Sequence, residues 1–382
     1  MATSSSQRRA DSSQRRADPS HNRVESPPPL APVGPTILTA GLEPEFGVFS
    51  DAPPTVDYDG LTEPHGRNRI QRFLRQKRWM YVFAATDEVV IIAAVVDAGP
   101  TGTGFVMVTD RATGEVLADA SRPGGAGPLT GVNERPIAGH RSHYAVPGTA
   151  MTVRGDDHEL RVRASLHSIP FLPIVSDPWI ELDLRLATDA HPAITAVTQI
   201  TQDPPMVTAT VKNAALPARG ELTLRQGGKE SNFSLSGGMG GFDYTNGFLP
   251  RHTAWRWAFT TAPLADGRSF GLNLVSGFSG IGDRSHENAC WVDGVAHPLS
   301  PAARIEFDRE DMMAPWQIRT LDGAVDLTFT PLTVHRESLN LGVVRSRFIQ
   351  PTGHYSGTVT VAGETIAIDA LPGVVEDQDV LW

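Results

Sequence analysis

The stretch Ile180-Glu181-Leu182-Asp183-Leu184-Arg185-Leu186 alternates aliphatic and charged residues without a break. Successive side chains of an extended strand point to opposite faces, so this segment has one face for a core and one for water. A helix would scatter the same residues around its axis. The period recurs in Leu160-Arg161-Val162-Arg163-Ala164. Met80–Ala85 and Glu88–Val96 read as a hairpin pair, followed by a strand at Phe105–Thr109 and a Gly-ended turn at Asp110–Gly114. Further strands are predicted over 221–225, 269–275, 289–292, 324–330 and 356–361, each bounded by Gly, Pro, Asp or Asn. Helical spacing is confined to Asn68–Gln76, where Ile70, Phe73 and Leu74 fall on one face, and to a charged turn at 308–311. The predicted fold is mainly β: two antiparallel barrel or sandwich domains with few short helices.

A chain of 382 residues has room for two such domains. A Pro-rich seam near 188–205 divides them into 37–195 and 196–382. Residues 1–36 form a separate extension. They contain a tandem heptad, 5–11 and 12–18, with only one Ala per repeat as an apolar position, and then Pro27-Pro28-Pro29. With no seam to bury, this extension is expected to be disordered.

The net charge is −10, of which 1–36 carries +2 and the remainder −12. An acidic body repels a phosphate backbone, so nucleic acid is not expected as a partner. Only three lysines occur, Lys77, Lys212 and Lys229. The longest apolar run, Val89–Val96, is far short of the roughly 20 residues a membrane helix requires, so no stable membrane insertion is expected. The start lacks the apolar core of a secretory signal, and the single cysteine, Cys290, excludes an internal disulfide and cysteine-based zinc sites. A cytoplasmic location is the expectation.

Phosphate-loop, nucleophile-elbow and His-Glu-x-x-His motifs are absent, and no cofactor or metal is expected. Gly237–Gly241 has no helix pattern after it and reads as a flexible hairpin or lid. The informative stretch is 242–294. There Trp255 and Trp257 share one face of a strand, Asn273 sits in the middle of an otherwise apolar strand, and Asp243, Glu287 and Asn288 lie close in sequence to them. Indoles with a few convergent polar groups describe a small-molecule pocket, while the same residues also fit a plain core with polar turns. A second group holds Trp316, His354, Tyr355 and Glu376-Asp377. His354 has a natural switch pKa beside the hydroxyl of Tyr355. Glu376 and Asp377 are adjacent and point to opposite faces of a strand, so they cannot form an acid/base pair with each other.

These residues, together with Lys77-Arg78-Trp79-x-Tyr81, Asp97-x-Gly99, Gly271-x-Asn273, Ala314-Pro315-Trp316 and the Glu376-Asp377-to-Trp382 ending, resemble the bacterial family called domain of unknown function 2804. The resemblance spans roughly residues 60–382. Where that family often has a histidine after the acidic pair, this chain has Gln378, and Met80 stands where a polar residue is more usual. The family is distantly similar to two-domain lipocalin-like proteins, carotenoid hydratases among them. That implies lipocalin-like β domains with a cavity for a long apolar ligand.

Three functions follow as expectations. In the first the protein binds or carries a small lipophilic molecule, fatty or isoprenoid-like, in a β-barrel cavity. In the second it is an acid-catalysed hydratase or cyclase acting on an isoprenoid-like substrate. A carbohydrate-active site using Glu287 and Asp243 is a third. The catalytic candidates are Asp243, His354 and Glu376, with Asp243 leading. The ligand-binding candidates are Trp79, Tyr81, Trp255, Trp257, Asn273, Glu287, Asn288, Trp316 and Tyr355. A small apolar molecule is the expected partner, and nothing in the pattern specifies an oligomer.

Overall fold

The computed structural model describes residues 30–125, 127–167, 179–277, 287–299, 302–340, 342 and 344–382. The N-terminal heptads, the triple proline and His286 lie outside the described residues. The described chain is almost all β. Two curled antiparallel sheets form half-barrels, a two-domain lipocalin-like architecture.

Fourteen described strands, all between Gly47 and Phe248, make the first sheet, and nine between His252 and Leu381 make the second. The chain passes from one to the other at 249–251. The seam expected near 188–205 falls inside the first sheet, because the strand Ile194–Gln202 turns back and pairs with Pro205–Gln226. The extension expected at 1–36 reaches the fold at its C-terminal end. Val33 N–H donates to Ser50 O at 3.0 Å, Ser50 N–H donates to Ala31 O at 2.8 Å, and Leu30 packs on the inter-sheet core.

Strand periodicity explains how the half-barrels are held together. Along Gln76–Ala85, Met80, Val82 and Ala84 point into the core of the first half-barrel. The alternate residues Tyr81, Phe83 and Ala85 point into a second core between the sheets. The strand Val89–Asp97 does the same, Val89, Ile91, Ala93 and Val95 facing one core and Val90, Ile92 and Ala94 the other. Both faces of these strands are buried, which is why they are continuously apolar in sequence while the Ile180 strand, with one face in water, alternates.

The Gly-rich segment is not a lid. Gly238–Phe248 is a wholly buried strand of the first sheet. A Cβ on Gly241 would lie 2.1 Å from Asn213 O and 2.7 Å from the Phe259 ring of the other sheet, and one on Gly271 would lie 2.0 Å from Ala214 O. Glycine at these two positions lets the sheets approach backbone to side chain.

Candidate active site

The face that the sheets turn toward each other opens into a cavity of about 460 Å³. The interior of the first half-barrel is filled by aliphatic and aromatic side chains, so the cavity lies between the half-barrels and not inside one.

Strand register builds its floor. Tyr81, Asp243 and Lys212 stand directly opposite one another on three adjacent strands of the first sheet. Trp79, Thr245 and Thr210 form the next same-face row. From the second sheet, Glu376 stands opposite Trp257, and Gln378 opposite Trp255. Period-two alternation puts these side chains on the cavity face and sends Asp377 behind it, where Arg256 (3.2 Å) and Arg347 (2.7 Å) pair with it.

Lys212 is the centre of charge. It is 3% exposed, with Nζ 3.0 Å from Asp243 Oδ2 and 2.6 Å from Glu287 Oε2. The ammonium also lies 5.5 Å from the centre of the Trp257 ring. Burial alone would pull its pKa down, but Asp243 and Glu287 together raise it, so Lys212 stays charged. The other oxygen of Asp243 accepts hydrogen bonds from Thr210 (3.2 Å) and Thr245 (3.3 Å).

One ammonium thus sits among three buried carboxyl groups. Burial pushes Glu287 up, against the pull of Lys212. Burial pushes Glu376 up to about 7, although Trp255 Nε1–H (2.8 Å) and Gln350 Nε2–H (2.8 Å) each donate to its carboxyl oxygens. Burial and the nearby Glu376 charge keep Tyr81 a neutral phenol, its hydroxyl buried beside the Gln350 amide. The walls above are aromatic and aliphatic. Trp79 stacks on Trp255 at 6.1 Å, and Tyr81 meets Trp257 edge-on at 5.0 Å. Phe105, Phe348, Leu339 and Val380 complete the apolar lining.

Of the residues singled out from sequence, Asp243, Glu376, Trp79, Tyr81, Trp255, Trp257 and Glu287 are brought together at this cavity. Asn273 and Asn288 lie just behind it. Asn273 accepts from Trp257 Nε1–H (2.7 Å) and donates to Glu287 O (2.6 Å), while Asn288 accepts from Val275 N–H (2.7 Å). Both amides fix the segment that carries Glu287.

The remaining three candidates lie elsewhere. Trp316 is core of the second half-barrel, stacked on Phe307 at 3.9 Å, and the buried Tyr355 donates to Val374 O. His354 lines a separate depression with Asp87, Arg111 and Pro372. Adjacent in sequence to Tyr355, it points to the opposite face of the strand, away from that core. Lys212 was not among the candidates. Its signal was a lone lysine inside the apolar stretch 206–216, where an exposed strand would carry more polar residues. No group of three or more His, Cys, Asp or Glu side chains is arranged to hold a metal ion among the described residues.

Residues 42–382 match the family model described as Domain of unknown function (DUF2804), and the chain belongs to that family. No curated protein matches it in sequence. Among solved structures, CghA superimposes with a TM-score of 0.51 at 11% identity, covering 91% of this chain and 97% of CghA. CghA with Sch210972 gives 0.50 at 11% identity, over 92% and 97%. Kievitone hydratase from Nectria haematococca gives 0.45 at 11% identity, over 84% and 93%. At these identities the likeness is one of fold.

Proposed function

We propose that this member of the family is an acid catalyst that hydrates or cyclises a lipophilic, isoprenoid-like molecule in the inter-sheet cavity. The observation that carries the reading is the Glu376 carboxyl, buried at the cavity and raised to about 7, so that it holds a transferable proton near neutrality. A carrier needs the apolar walls but gains nothing from three buried carboxyl groups, each costly to desolvate.

Glu376 replaces Asp243 as the leading acid, because Asp243 is engaged by Lys212, Thr210 and Thr245. In the proposed step the Glu376 O–H adds its proton to one carbon of an alkene, forming a C–H bond and leaving a cation on the neighbouring carbon. The faces of Trp255, Trp257 and Tyr81 stabilise that cation. In hydration, water forms the new C–O bond and gives up a proton that restores Glu376. In cyclisation, a second alkene of the same molecule attacks, and loss of a C–H proton restores the acid. Lys212 with Asp243 and Glu287 holds the site's charge fixed, and the Tyr81 hydroxyl on the cavity lining can bond an oxygen of the water or substrate.

Native mass spectrometry of wild type and Glu376→Gln, both purified from the native host, tests this. The variant should retain a ligand that differs from the wild-type ligand by one water in mass, or, for an isomer of equal mass, in chromatographic retention and fragmentation after release. The same ligand in both forms would point to a carrier.

A further inference from the structure

The segment Arg69–Arg75 is a seven-residue helix with no buried residue. It leaves Ile70, Phe73 and Leu74 exposed at 72%, 56% and 49%. Helices on soluble proteins ordinarily turn such a face inward, and this one contributes nothing to any core. Yet it is held firmly. A capping box joins Asn68 and Gln71, Leu249 N–H donates to Arg75 O (3.0 Å), and Lys77 Nζ donates to Leu74 O (2.9 Å) and Ala98 O (2.7 Å).

Those contacts place the helix on the rim of the cavity. Ala98 and Trp382 both line the cavity, and the Lys77 ammonium that ties the helix down lies 5.1 Å from the Trp382 ring. The helix backbone packs on the turn after Val89–Asp97, so closely that a Cβ on Gly99 would lie 2.0 Å from Phe73 O. The acids of the site are at the far end: Asp243, Glu287 and Glu376 are all below 9% exposed, whereas Ser338 on the lining is exposed. The mouth and the apolar helix therefore share one side of the molecule. Leu129, 44% exposed, is flanked by residues that line the same shallow cleft as Phe73 and extends the patch.

The helix carries Arg69, Arg72 and Arg75 and no acid. Arg72 pairs with Asp59, and Arg69 and Arg75 have no ion-pair partner among the described residues. Basic residues interleaved with exposed Ile, Phe and Leu are complementary to an anionic lipid interface, which takes the apolar side chains below its headgroups and the guanidinium groups at them. A net-acidic protein would otherwise be repelled by such a surface, so the local positive face fixes which side docks.

We propose that this helix is a membrane-docking element that seats the cavity mouth on an anionic lipid surface, from which a lipophilic molecule enters. The reason for docking rests on the reading of the cavity as a site for such a molecule.

Vesicle flotation tests it. Full-length protein is floated with vesicles of phosphatidylcholine containing about 30% phosphatidylserine, and with phosphatidylcholine alone. Wild type should float with the anionic vesicles and much less with the neutral ones. The triple variant Ile70→Gln/Phe73→Gln/Leu74→Gln alters only exposed side chains, and its partitioning should fall about tenfold or more at unchanged thermal midpoint. Glu376→Gln should float as wild type does, which separates docking from the chemistry of the cavity. Failure of wild type to float, or equal flotation of the triple variant, would overturn the proposal. So would sedimentation showing a dimer that the triple variant dissolves in the absence of vesicle binding, which assigns the face to a second copy of the chain.

Discussion

The indole N–H of Trp255 donates to Glu376 Oε1 at 2.8 Å, although the two residues are not opposite one another in the sheet. Trp257 occupies the position across from Glu376, and Gln378 the position across from Trp255. The bond is therefore diagonal, between same-face residues of neighbouring strands, a separation that only a long side chain spans. It ties the acid to one wall of the cavity and still leaves the carboxyl raised to about 7, because burial outweighs it.

Glu376→Gln should abolish turnover while the protein stays folded, since the amide keeps size and hydrogen-bonding capacity but has no proton to transfer. It should also change the pH dependence of stability. A carboxyl raised in the folded state stabilises fully below its ordinary value of 4.5, and that contribution is lost as pH rises through about 7. The loss is about 1.4 kcal/mol per pH unit across that window. Urea denaturation at several pH values should show a decline in wild type that is absent from the variant.

Trp255→Phe keeps the aromatic wall and removes the donor to Glu376. The hydrogen bond favours the charged carboxylate, so its loss should raise the Glu376 pKa further. The alkaline limb of the activity profile should move up by as much as about one pH unit. An unmoved limb would mean that another group carries the proton.

Lys212→Met leaves Asp243 and Glu287 buried without their cation. Breaking a buried pair from one side costs about 3–5 kcal/mol, because the stranded charges have no water to return to. Adding Asp243→Asn and Glu287→Gln should recover much of the loss, and chemical denaturation of the single and triple variants measures the recovery. A single variant as stable as wild type would mean that the ammonium is not what offsets the carboxylates.

His335 joins the sheets from a different side, its Nδ1 lying 2.7 Å from Asp119 Oδ2 and its Nε2 3.3 Å from Glu337 Oε1. Burial lowers its pKa, but the two carboxylates outweigh burial and hold it at about 9. Its stabilisation should be full below 6.5, its ordinary value, and lost as pH rises through about 9. Denaturation midpoints of His335→Gln should therefore vary less than those of wild type between about pH 6 and pH 10.

Much of the β architecture was legible because alternation and turn residues are local signals. The Ile180 strand alternates as its burial requires, and the Met80 and Val89 runs are apolar because both their faces are covered. What could not be read was which strands neighbour which. Pro205–Gln226 is one strand of 22 residues, of which only the end near 221–225 stood out, and it pairs with four partners along its length. The row Tyr81–Asp243–Lys212 exists only through that pairing, so the lone lysine in an apolar stretch was a local signal but its partners were not. For the same reason Trp316 looked like part of a pocket: an indole in a core and an indole on a cavity wall are alike in sequence.

Lys212 comes from the first sheet and Glu287 from the segment leading into the second-sheet strand Ala289–Val292, so the ion pair at the heart of the site is also a clasp between the halves of the molecule. His335 and Asp119 make a second clasp, and the apolar layer containing Phe83 and Phe259 lies between them as a shared surface. Neither half has a finished exterior without the other. The chain should consequently melt as a single cooperative unit, with one calorimetric peak whose van't Hoff and measured enthalpies agree. A fragment ending near Leu249 would expose the apolar face of Tyr81, Phe83 and Ile92 to water and should aggregate where the full chain stays dispersed.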